Sequence, residues 1–264
     1  MKYYKYWKKE NFTIKIDNQD EVITVLAGSN ISVEDAYNEA REQSQDIEQR
    51  IAAGEGKESY QSAIREHVSD ILDDENILTI CRYGAKVLNT TQYTILDLDD
   101  YPASFFDRFK AISKLPRKAR IIAKFEQNIK KYPQLGSDFR IYETAKGIRV
   151  IGKNYIAPST KGYVKLMRTL GVDQIYIGLS KKQNCYRARL TPKPYRMKHK
   201  AIKIRSPLDC ETIQYKDWKS SYETAAERYS VVKLVKTLGT DFEKDSVIKL
   251  HDSVCNLQAN KRLA

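Results

Sequence analysis

The sequence predicts an α+β fold in which a central mixed or antiparallel sheet is flanked by helices, and two observations lead to it. Short apolar runs follow one another at residues 77–82, 85–88 and 93–98, separated by segments typical of turns. Longer segments carry apolar residues with a helical period, as at residues 32–53 and 116–131. Strands grouped in the middle, with helices on either side, are typical of α+β proteins.

The N-terminal unit is predicted to be a hairpin followed by two helices. Alternating apolar and polar residues at 13–26, interrupted by Asp-Asn-Gln-Asp, indicate two strands joined by a turn. Ser32 and Asp35 form the S-x-x-D pattern of a capping box, which predicts a helix from there to about Ala53. Apolar residues on one side of the segment 58–72 predict a second helix.

The middle and C-terminal parts are predicted to contain most of the sheet and two final helices. The three short apolar runs form an antiparallel meander whose last strand ends at Asp97 and Asp99. Gly147 is expected to supply a positive φ angle in a tight hairpin turn. The other predicted elements are a helix beginning at Pro116, strands at 139–144, 148–152, 175–177 and 185–190, a helix at 159–170, and helices at 215–238 and 241–256.

The length of the chain allows one large domain or two small ones. It has 264 residues, of which 41% are hydrophobic, and this is enough for a self-sustaining core. We predict an N-terminal α/β unit (1–75), a core with a basic surface (76–210) and a C-terminal helical part (211–264). Because no Pro-, Gly- or Ser-rich linker marks either boundary, a single compact domain is the alternative.

The cysteines and the N-terminus favour a cytoplasmic protein with reduced thiols. Cys81, Cys185, Cys210 and Cys255 are far apart and form no C-x-x-C, so neither a zinc knuckle nor a disulfide framework is indicated. The N-terminal residues contain no apolar h-region, and nowhere are 18 apolar residues consecutive. We therefore expect neither secretion nor membrane insertion.

Charge is strongly segregated along the chain. Residues 101–205 carry 26 Lys and Arg against five Asp and Glu, whereas the remainder carries 20 against 29. Such a basic middle third predicts a polyanionic partner, either DNA or RNA or a nucleotide, bound with salt-sensitive affinity. A well-solvated basic face without a ligand and an acidic protein partner are the alternatives.

The most informative motif is the pair Asp97 and Asp99 at the end of an apolar run. In a strand, residues two apart point to the same face, so both carboxylates would lie side by side. Such a pair is what Mg²⁺ or Mn²⁺ ions holding a nucleoside triphosphate require. A solvated strand end is the alternative interpretation.

Four pieces follow one another in a set order: Asp97-x-Asp99, the turn segment 144–149, Asp173 and the basic segment 185–193. This order resembles the motifs of the archaeo-eukaryotic primase superfamily, also called primase-polymerases, over the middle of the chain. That family places a D-x-D on one strand, a serine-x-histidine on a later hairpin strand and a third aspartate further on. An arginine and a lysine that meet the nucleotide then follow.

The resemblance implies a primase-like, RRM-like core and a two-metal site. Asp97, Asp99 and Asp173 would hold Mg²⁺ or Mn²⁺ and act as the catalytic carboxylates. The residues that would meet the triphosphate or the template backbone are Lys146, Arg149, Arg187, Arg189 and Lys193. Arg149 stands where the family has its histidine, and because arginine binds phosphate bidentately, the exchange affects catalysis more than binding.

The chain as a whole also resembles a set of bacterial proteins of similar length to which no activity is attached. The segments behind this resemblance are residues 27–30, 82–84, 187–194 and 250–252. It implies a self-contained protein and leaves the chemistry open.

The basic segment has a physical interpretation of its own. Arg187, Arg189 and Lys193 alternate and would share one face of a strand, where adjacent guanidinium groups repel unless an anion lies between them. We therefore predict a phosphate clamp, with an edge strand protected by positive charge as the alternative. The residues predicted to contact nucleic acid around it are Tyr195, by base stacking, Arg196, and the helix lysines Lys124, Lys130 and Lys131.

These features together predict a metal-dependent nucleotidyltransferase of primase-polymerase type, acting on nucleic acid and a nucleoside triphosphate. Two alternatives remain: a metal-dependent nuclease using the same carboxylates, and a non-catalytic nucleic-acid-binding protein with a degenerate primase-like fold. Other catalytic classes lack support, because the sequence contains no phosphate loop of the G-x-x-x-x-G-K-[ST] type, no G-x-S-x-G and no H-E-x-x-H.

Overall fold

The α+β class is confirmed. The computed structural model describes residues 1–17, 19–55, 63–99, 111–257 and 261–264. Those residues form 12 strands, paired mainly antiparallel, and six α-helices. Two four-stranded antiparallel sheets make up the centre, and a two-stranded hairpin with its helix precedes them.

The N-terminal hairpin and the first helix are also confirmed. Strands β1 (Tyr6–Ile16) and β2 (Gln19–Ser29) pair antiparallel along their whole length. Helix α1 (Val33–Ala52) begins where predicted, because the Ser32 hydroxyl accepts a hydrogen bond from the Asp35 backbone N–H at 3.0 Å. The apolar face of α1 packs on the hairpin and buries it on one side.

The first central sheet has the strand order β3-β4-β5-β9. Its strands are β3 (His67–Ile71), β4 (Asn76–Ile80), β5 (Lys86–Thr90) and β9 (Tyr186–Arg189). The helix predicted over 58–72 is wrong at its C-terminal end, which is strand β3, while residues 56–62 lie outside the described residues. A short apolar segment is compatible with both the helical and the strand periodicity. Here the segment is a strand because it pairs with β4, which is fully buried. The predicted domain boundary near residue 75 therefore falls within the β3–β4 hairpin.

The second central sheet has the order β11-β7-β8-β6. Its strands are β6 (Thr94–Leu98), β7 (Phe139–Thr144), β8 (Ile148–Gly152) and β11 (Val232–Leu238). The predicted meander is thus wrong in its third strand, because β6 leaves β5 and pairs with β8. The helix predicted over 215–238 is also wrong beyond residue 226, since β11 pairs with β7 and brings the C-terminal part into the core sheet.

The helices after α1 cover both sheets. The strand predicted at 175–177 is wrong, because that segment lies in α4, which begins at the Asp173 cap. The helices are α2 (Arg117–Ile129), α3 (Tyr163–Thr169), α4 (Gln174–Gln183), α5 (Ile213–Ala226) and α6 (Ser246–Val254). Two short strands, β10 (Tyr229–Ser230) and β12 (Arg262–Leu263), pair in parallel. None of the helices in the described part of the chain is long and apolar enough to cross a membrane.

One tyrosine links the two central sheets. The Tyr176 hydroxyl lies 3.0 Å from the carbonyl oxygens of Ile95 on β6 and Arg187 on β9, and it accepts from the Arg187 backbone N–H at 3.1 Å. Burial raises the pKa of Tyr176 well above its ordinary value, so the hydroxyl stays neutral as a donor. A single hydrophobic core extends across both sheets and includes Leu88 and Leu96.

Candidate anion-binding site

Asp97 and Arg149 form an ion pair across neighbouring strands. They lie directly opposite each other on β6 and β8, and the Arg149 Nε donates to Asp97 Oδ1 at 3.2 Å. The Arg149 side chain is buried, whereas that of Asp97 is 38% exposed. Arg149 also donates from Nη1 to the carbonyl oxygen of Arg189 at 2.9 Å, which ties β8 to the end of β9. The guanidinium predicted to bind phosphate is therefore already engaged.

Behind Arg149 lies a buried histidine. The His251 Nε2 is 3.4 Å from Arg149 Nη1, and its Nδ1 is 2.8 Å from Asp252 Oδ1. Burial by itself lowers the pKa of His251, but Cys255 and the hydrogen bond with Asp252 outweigh it and raise the pKa to about 8. The nearby Arg149 guanidinium opposes this rise, and a pKa of about 8 favours the protonated ring at neutral pH.

The polar network continues on the same face of the second sheet. Asp252 accepts from the Tyr142 hydroxyl at 2.9 Å and from Arg140 Nη2 at 2.8 Å. Arg140, which is almost fully buried, also forms an ion pair with Asp241. These contacts fix α6 against the sheet, and they extend the chain of charges from the exposed Asp97 to the far edge of the core.

Asp99 is paired as well, but at the surface. Its Oδ2 lies 3.0 Å from Lys146 Nζ, and both side chains are exposed. The hairpin turn that carries Lys146 is confirmed, but the prediction for Gly147 is wrong, since its φ is not positive. A Cβ at Gly147 would lie 2.3 Å from the Leu98 carbonyl oxygen, so close backbone approach is what requires glycine there.

Asp173 has a structural role in this fold. Its Oδ1 accepts from the Tyr176 backbone N–H at 2.8 Å and so caps α4. Its backbone N–H donates to the Asp97 carbonyl oxygen at 3.2 Å, so the backbones of the two residues lie side by side in the fold. The carboxylates are nevertheless committed to different partners: a helix end for Asp173, Arg149 for Asp97 and Lys146 for Asp99.

The predicted metal centre is not formed by the described residues. Among them, no three His, Cys, Asp or Glu side chains are grouped so as to hold a metal ion. A two-metal site needs carboxylates that converge and are not neutralised by cations. The carboxylates of Asp97, Asp99 and Asp173 are each engaged by another partner, so their arrangement gives no support to a Mg²⁺ or Mn²⁺ site, which stays a prediction. All four cysteines are buried and form no disulfide, in agreement with the expected thiols.

Arg187 does not take part in the predicted clamp. Its Nη2 lies 2.5 Å from Glu66 Oε2, and both side chains are nearly buried. Glu66 Oε2 also accepts from the Thr79 hydroxyl at 2.6 Å, so this ion pair is part of the polar face of the first sheet. Arg187 is therefore engaged by Glu66, which leaves Arg189 as the member of the predicted two-arginine clamp that is available for an anion.

The side chains of Arg189, Lys193 and Arg196 lie together at the end of β9, and we call this group the cationic cluster. Arg189 donates from Nη1 to the Thr191 carbonyl oxygen at 2.7 Å. Burial lowers the pKa values of Arg189 and Lys193, and the neighbouring cations lower both further. Positive charges that are desolvated and close to one another are stabilised when an anion binds between them.

Two tyrosines complete this surface. The Lys193 Nζ lies 5.9 Å from the ring centre of Tyr83 and 6.0 Å from that of Tyr195, and the Arg196 guanidinium is 5.8 Å from Tyr195. Tyr195 is 66% exposed. Although partial burial raises the pKa of Tyr195, Arg196 and Lys193 outweigh it and lower that pKa. An aromatic face is thus presented to solvent beside grouped cations.

The loop that carries the cationic cluster is held in place by hydrogen bonds to α5 and β5. The Tyr222 hydroxyl on α5 lies 2.6 Å from the Pro192 carbonyl oxygen and 2.8 Å from the Thr191 hydroxyl. The Thr191 hydroxyl in turn accepts from the Lys86 backbone N–H at 2.8 Å. A short 3₁₀ helix, Pro194–Met197, then presents Tyr195 and Arg196. These contacts hold the cations in place before any ligand arrives, which favours binding.

The helix lysines predicted to track a template lie elsewhere. Lys130 and Lys131 are exposed at the C-terminal end of α2, and Lys124 is half-buried. The ring of Phe125 on α2 packs against Phe139, whose side chain faces away from Arg149 because residues alternate along β7. The structure therefore places α2 on the face of the second sheet opposite the Asp97–Arg149 pair.

Three contributors to the site could not be recognised in the sequence. Glu66 lies in the segment 58–72, whose apolar pattern predicts a helix, so the sequence does not indicate its pairing with Arg187 across the sheet. Tyr83 and His251 stand out in the sequence only as members of the segments 82–84 and 250–252, which resemble those of other proteins. Comparison with protein-family models, with curated proteins and with solved structures found no match for this chain.

Proposed function

We propose that the protein binds nucleic acid, holding backbone phosphates at the cationic cluster and stacking a base on Tyr195. The observation that carries this proposal is the cluster itself: Arg189 and Lys193 are desolvated, and each lies in the field of Arg196, beside an exposed aromatic ring. Cations that track a backbone and an aromatic platform for bases are the usual components of single-strand binding surfaces.

The distribution of charge supports a long polyanion as the partner. The cationic cluster lies within the segment 101–205, where basic residues outnumber acidic ones by 26 to five. Asp97 is the carboxylate that acts on both Arg189 and Lys193, and its ion pair with Arg149 offsets part of its charge. The field of this region favours encounter with a negatively charged strand.

The arrangement favours binding over nucleotidyl transfer or hydrolysis. Either reaction would need Asp97, Asp99 and Asp173 to share metal ions, and each of the three carboxylates is committed to another partner. The non-catalytic alternative derived from the sequence therefore accounts best for the geometry. The primase resemblance stays a prediction.

The test is a titration of a fluorescent single-stranded oligonucleotide at several salt concentrations. Replacing Lys193 and Arg196 by Gln should weaken binding about tenfold and reduce the log–log salt slope by about 1.4, since each phosphate contact contributes roughly 0.7 for a single strand. Lys5→Gln with Lys9→Gln removes the same charge from exposed positions at the start of the N-terminal hairpin and serves as the matched control. An equal salt slope in all three proteins would refute the proposal.

A second variant tests the stacking contact. Tyr195→Ala should cost about 1–3 kcal/mol of oligonucleotide binding and leave the salt slope unchanged, because it removes a ring and no charge. Tyr195→Phe keeps the ring and should retain most of the affinity. If Phe and Ala at this position weaken binding equally, the ring does not stack on a base.

A further inference from the structure

A second basic concavity lies around α3, away from the cationic cluster. It is formed by residues 158–165, Arg168, Thr169 and, from α4, Lys181, and its volume is about 580 Å³. Ligand pockets commonly have volumes of roughly 300–1,000 Å³, so the space suits a small molecule. We call it the α3 pocket.

The charge of the α3 pocket is one-sided. Its cations are Lys161, Lys165, Arg168 and Lys181, and none of the described residues that line it is Asp or Glu. Within the part of the chain that the structure describes, no ion pair is formed by any of these four side chains. Arg168 is positioned by a hydrogen bond from its Nε to Gln174 Oε1 at 2.9 Å. Four positive charges around one concavity repel one another unless an anion lies among them.

The α3 pocket and the cationic cluster are on opposite faces of the first sheet. Tyr163, at the start of α3, packs its ring against that of Tyr186 on β9. Residues alternate along a strand, so Tyr186 points to one face while Arg187 and Arg189 point to the other. A ligand in the α3 pocket therefore does not need the cationic cluster.

We propose that the α3 pocket is a second binding site, which takes a small anion with several phosphate groups, of the inorganic or nucleoside triphosphate class. Its four cations match the three to four negative charges that such a compact anion carries. Arg168 supplies a planar fork for two phosphate oxygens, and the lysines supply point charges around it. This site goes beyond the proposed nucleic-acid surface and is independent of it.

The experiment is calorimetric titration with inorganic tripolyphosphate, which carries the charge without a base. Lys165 and Arg168 are exposed, so Lys165→Gln with Arg168→Gln should leave the fold intact and weaken tripolyphosphate binding at least tenfold. Lys5→Gln with Lys9→Gln removes the same charge away from both basic sites; it is the control and should bind tripolyphosphate as the parent protein does. Lys193→Gln with Arg196→Gln in the cationic cluster should retain the binding that the pocket variants lose. Lys161→Gln with Lys181→Gln is a second pocket variant that should show the same loss.

The outcomes separate this proposal from the proposed function. Loss of tripolyphosphate binding in the cluster variant, with retention in both pocket variants, overturns the α3 pocket as the site. Weaker oligonucleotide binding in the pocket variants with unchanged tripolyphosphate affinity also overturns it, and assigns these cations to the nucleic-acid surface. Absence of tripolyphosphate binding by the parent protein at millimolar concentration overturns it without bearing on the cationic cluster.

Discussion

Arg149 and Asp97 lie opposite each other on adjacent strands and are joined by a 3.2 Å hydrogen bond between Nε and Oδ1. From the sequence, these residues were expected to have separate tasks, phosphate binding for the arginine and metal binding for the aspartate. Their pairing occupies both groups at once. It also places the carboxylate of Asp97 beside the cationic cluster, where it opposes anion binding.

The first prediction concerns Asp97→Asn. Removing this charge leaves the cationic cluster more positive, so oligonucleotide affinity should rise roughly three- to tenfold at low salt. Stability should fall by about 1–3 kcal/mol, because the buried Arg149 loses its charged acceptor, although its Nη1 still donates to the Arg189 carbonyl oxygen. Binding titrations and urea unfolding measure the two effects.

The sign of the binding change distinguishes the hypotheses. A metal-dependent nucleotidyltransferase would lose nucleotide affinity and activity in the Asp97→Asn protein, because a metal ligand would be missing. Asp99→Asn is the companion variant: Asp99 pairs with Lys146 at the surface, so its replacement should change stability by less than about 1 kcal/mol. Weaker oligonucleotide binding in Asp97→Asn would contradict the proposed role of the cationic cluster.

The second prediction concerns Arg187, which the structure removes from the clamp. Arg187→Met should destabilise the protein by about 3–5 kcal/mol, because Glu66 would be left as an unpaired charge in a nearly buried position. The double variant Arg187→Met with Glu66→Gln should recover part of this loss. Chemical denaturation of the four proteins in the cycle gives the coupling energy.

Salt dependence provides the matching control for Arg187. A stable preparation of the double variant should bind oligonucleotide with an unchanged salt slope, whereas Arg189→Gln should flatten it. If the double variant at Arg187 and Glu66 flattened the salt dependence of binding, Arg187 would contact phosphate and the predicted two-arginine clamp would be supported.

Local sequence signals predicted the elements that depend on local interactions. The β1–β2 hairpin and α1 follow from alternation and from the Ser32 cap, and the structure reproduces both. The predictions that are wrong concern segments whose secondary structure depends on pairing with distant strands. Residues 232–238 form a strand because β7 offers an open edge, and no local signal marks that edge.

The candidate site shows the same limit. Arg189, Lys193, Tyr195 and Arg196 are close in sequence, so their grouping was foreseeable, and all four lie at one end of β9. The partners that neutralise the other predicted residues are 52 positions away for Asp97 and Arg149 and 121 for Glu66 and Arg187. Such pairings depend on strand order, which periodicity does not contain. Asp173, which the primase resemblance makes a metal ligand, caps α4 because residues 174–183 are helical.

The third prediction uses two glycines with opposite environments. Gly147→Ala should destabilise the protein by about 1–3 kcal/mol, since the new Cβ would lie 2.3 Å from the Leu98 carbonyl oxygen and force the backbone to move. Gly178 lies inside α4, and a Cβ added there would meet nothing within 4 Å beyond its own helix, so Gly178→Ala should stabilise by about 0.5–1 kcal/mol. Thermal unfolding of both variants shows whether each substitution raises or lowers the melting temperature. A stabilised Gly147→Ala protein would contradict the close contact.

The fourth prediction is that His251 makes the folding stability of the protein decrease as the pH rises above neutral. Its folded pKa of about 8 lies above the ordinary value of 6.5, so the folded state binds this proton more tightly than the unfolded state. The contribution is complete below about pH 6.5 and is lost as the pH rises through 8; it amounts to about 2 kcal/mol. Urea unfolding between pH 6 and 9 should show this decline, and His251→Gln should remove most of it while keeping a side chain that can donate to Asp252. A parent protein whose stability is constant over that range would show that His251 is neutral in the core.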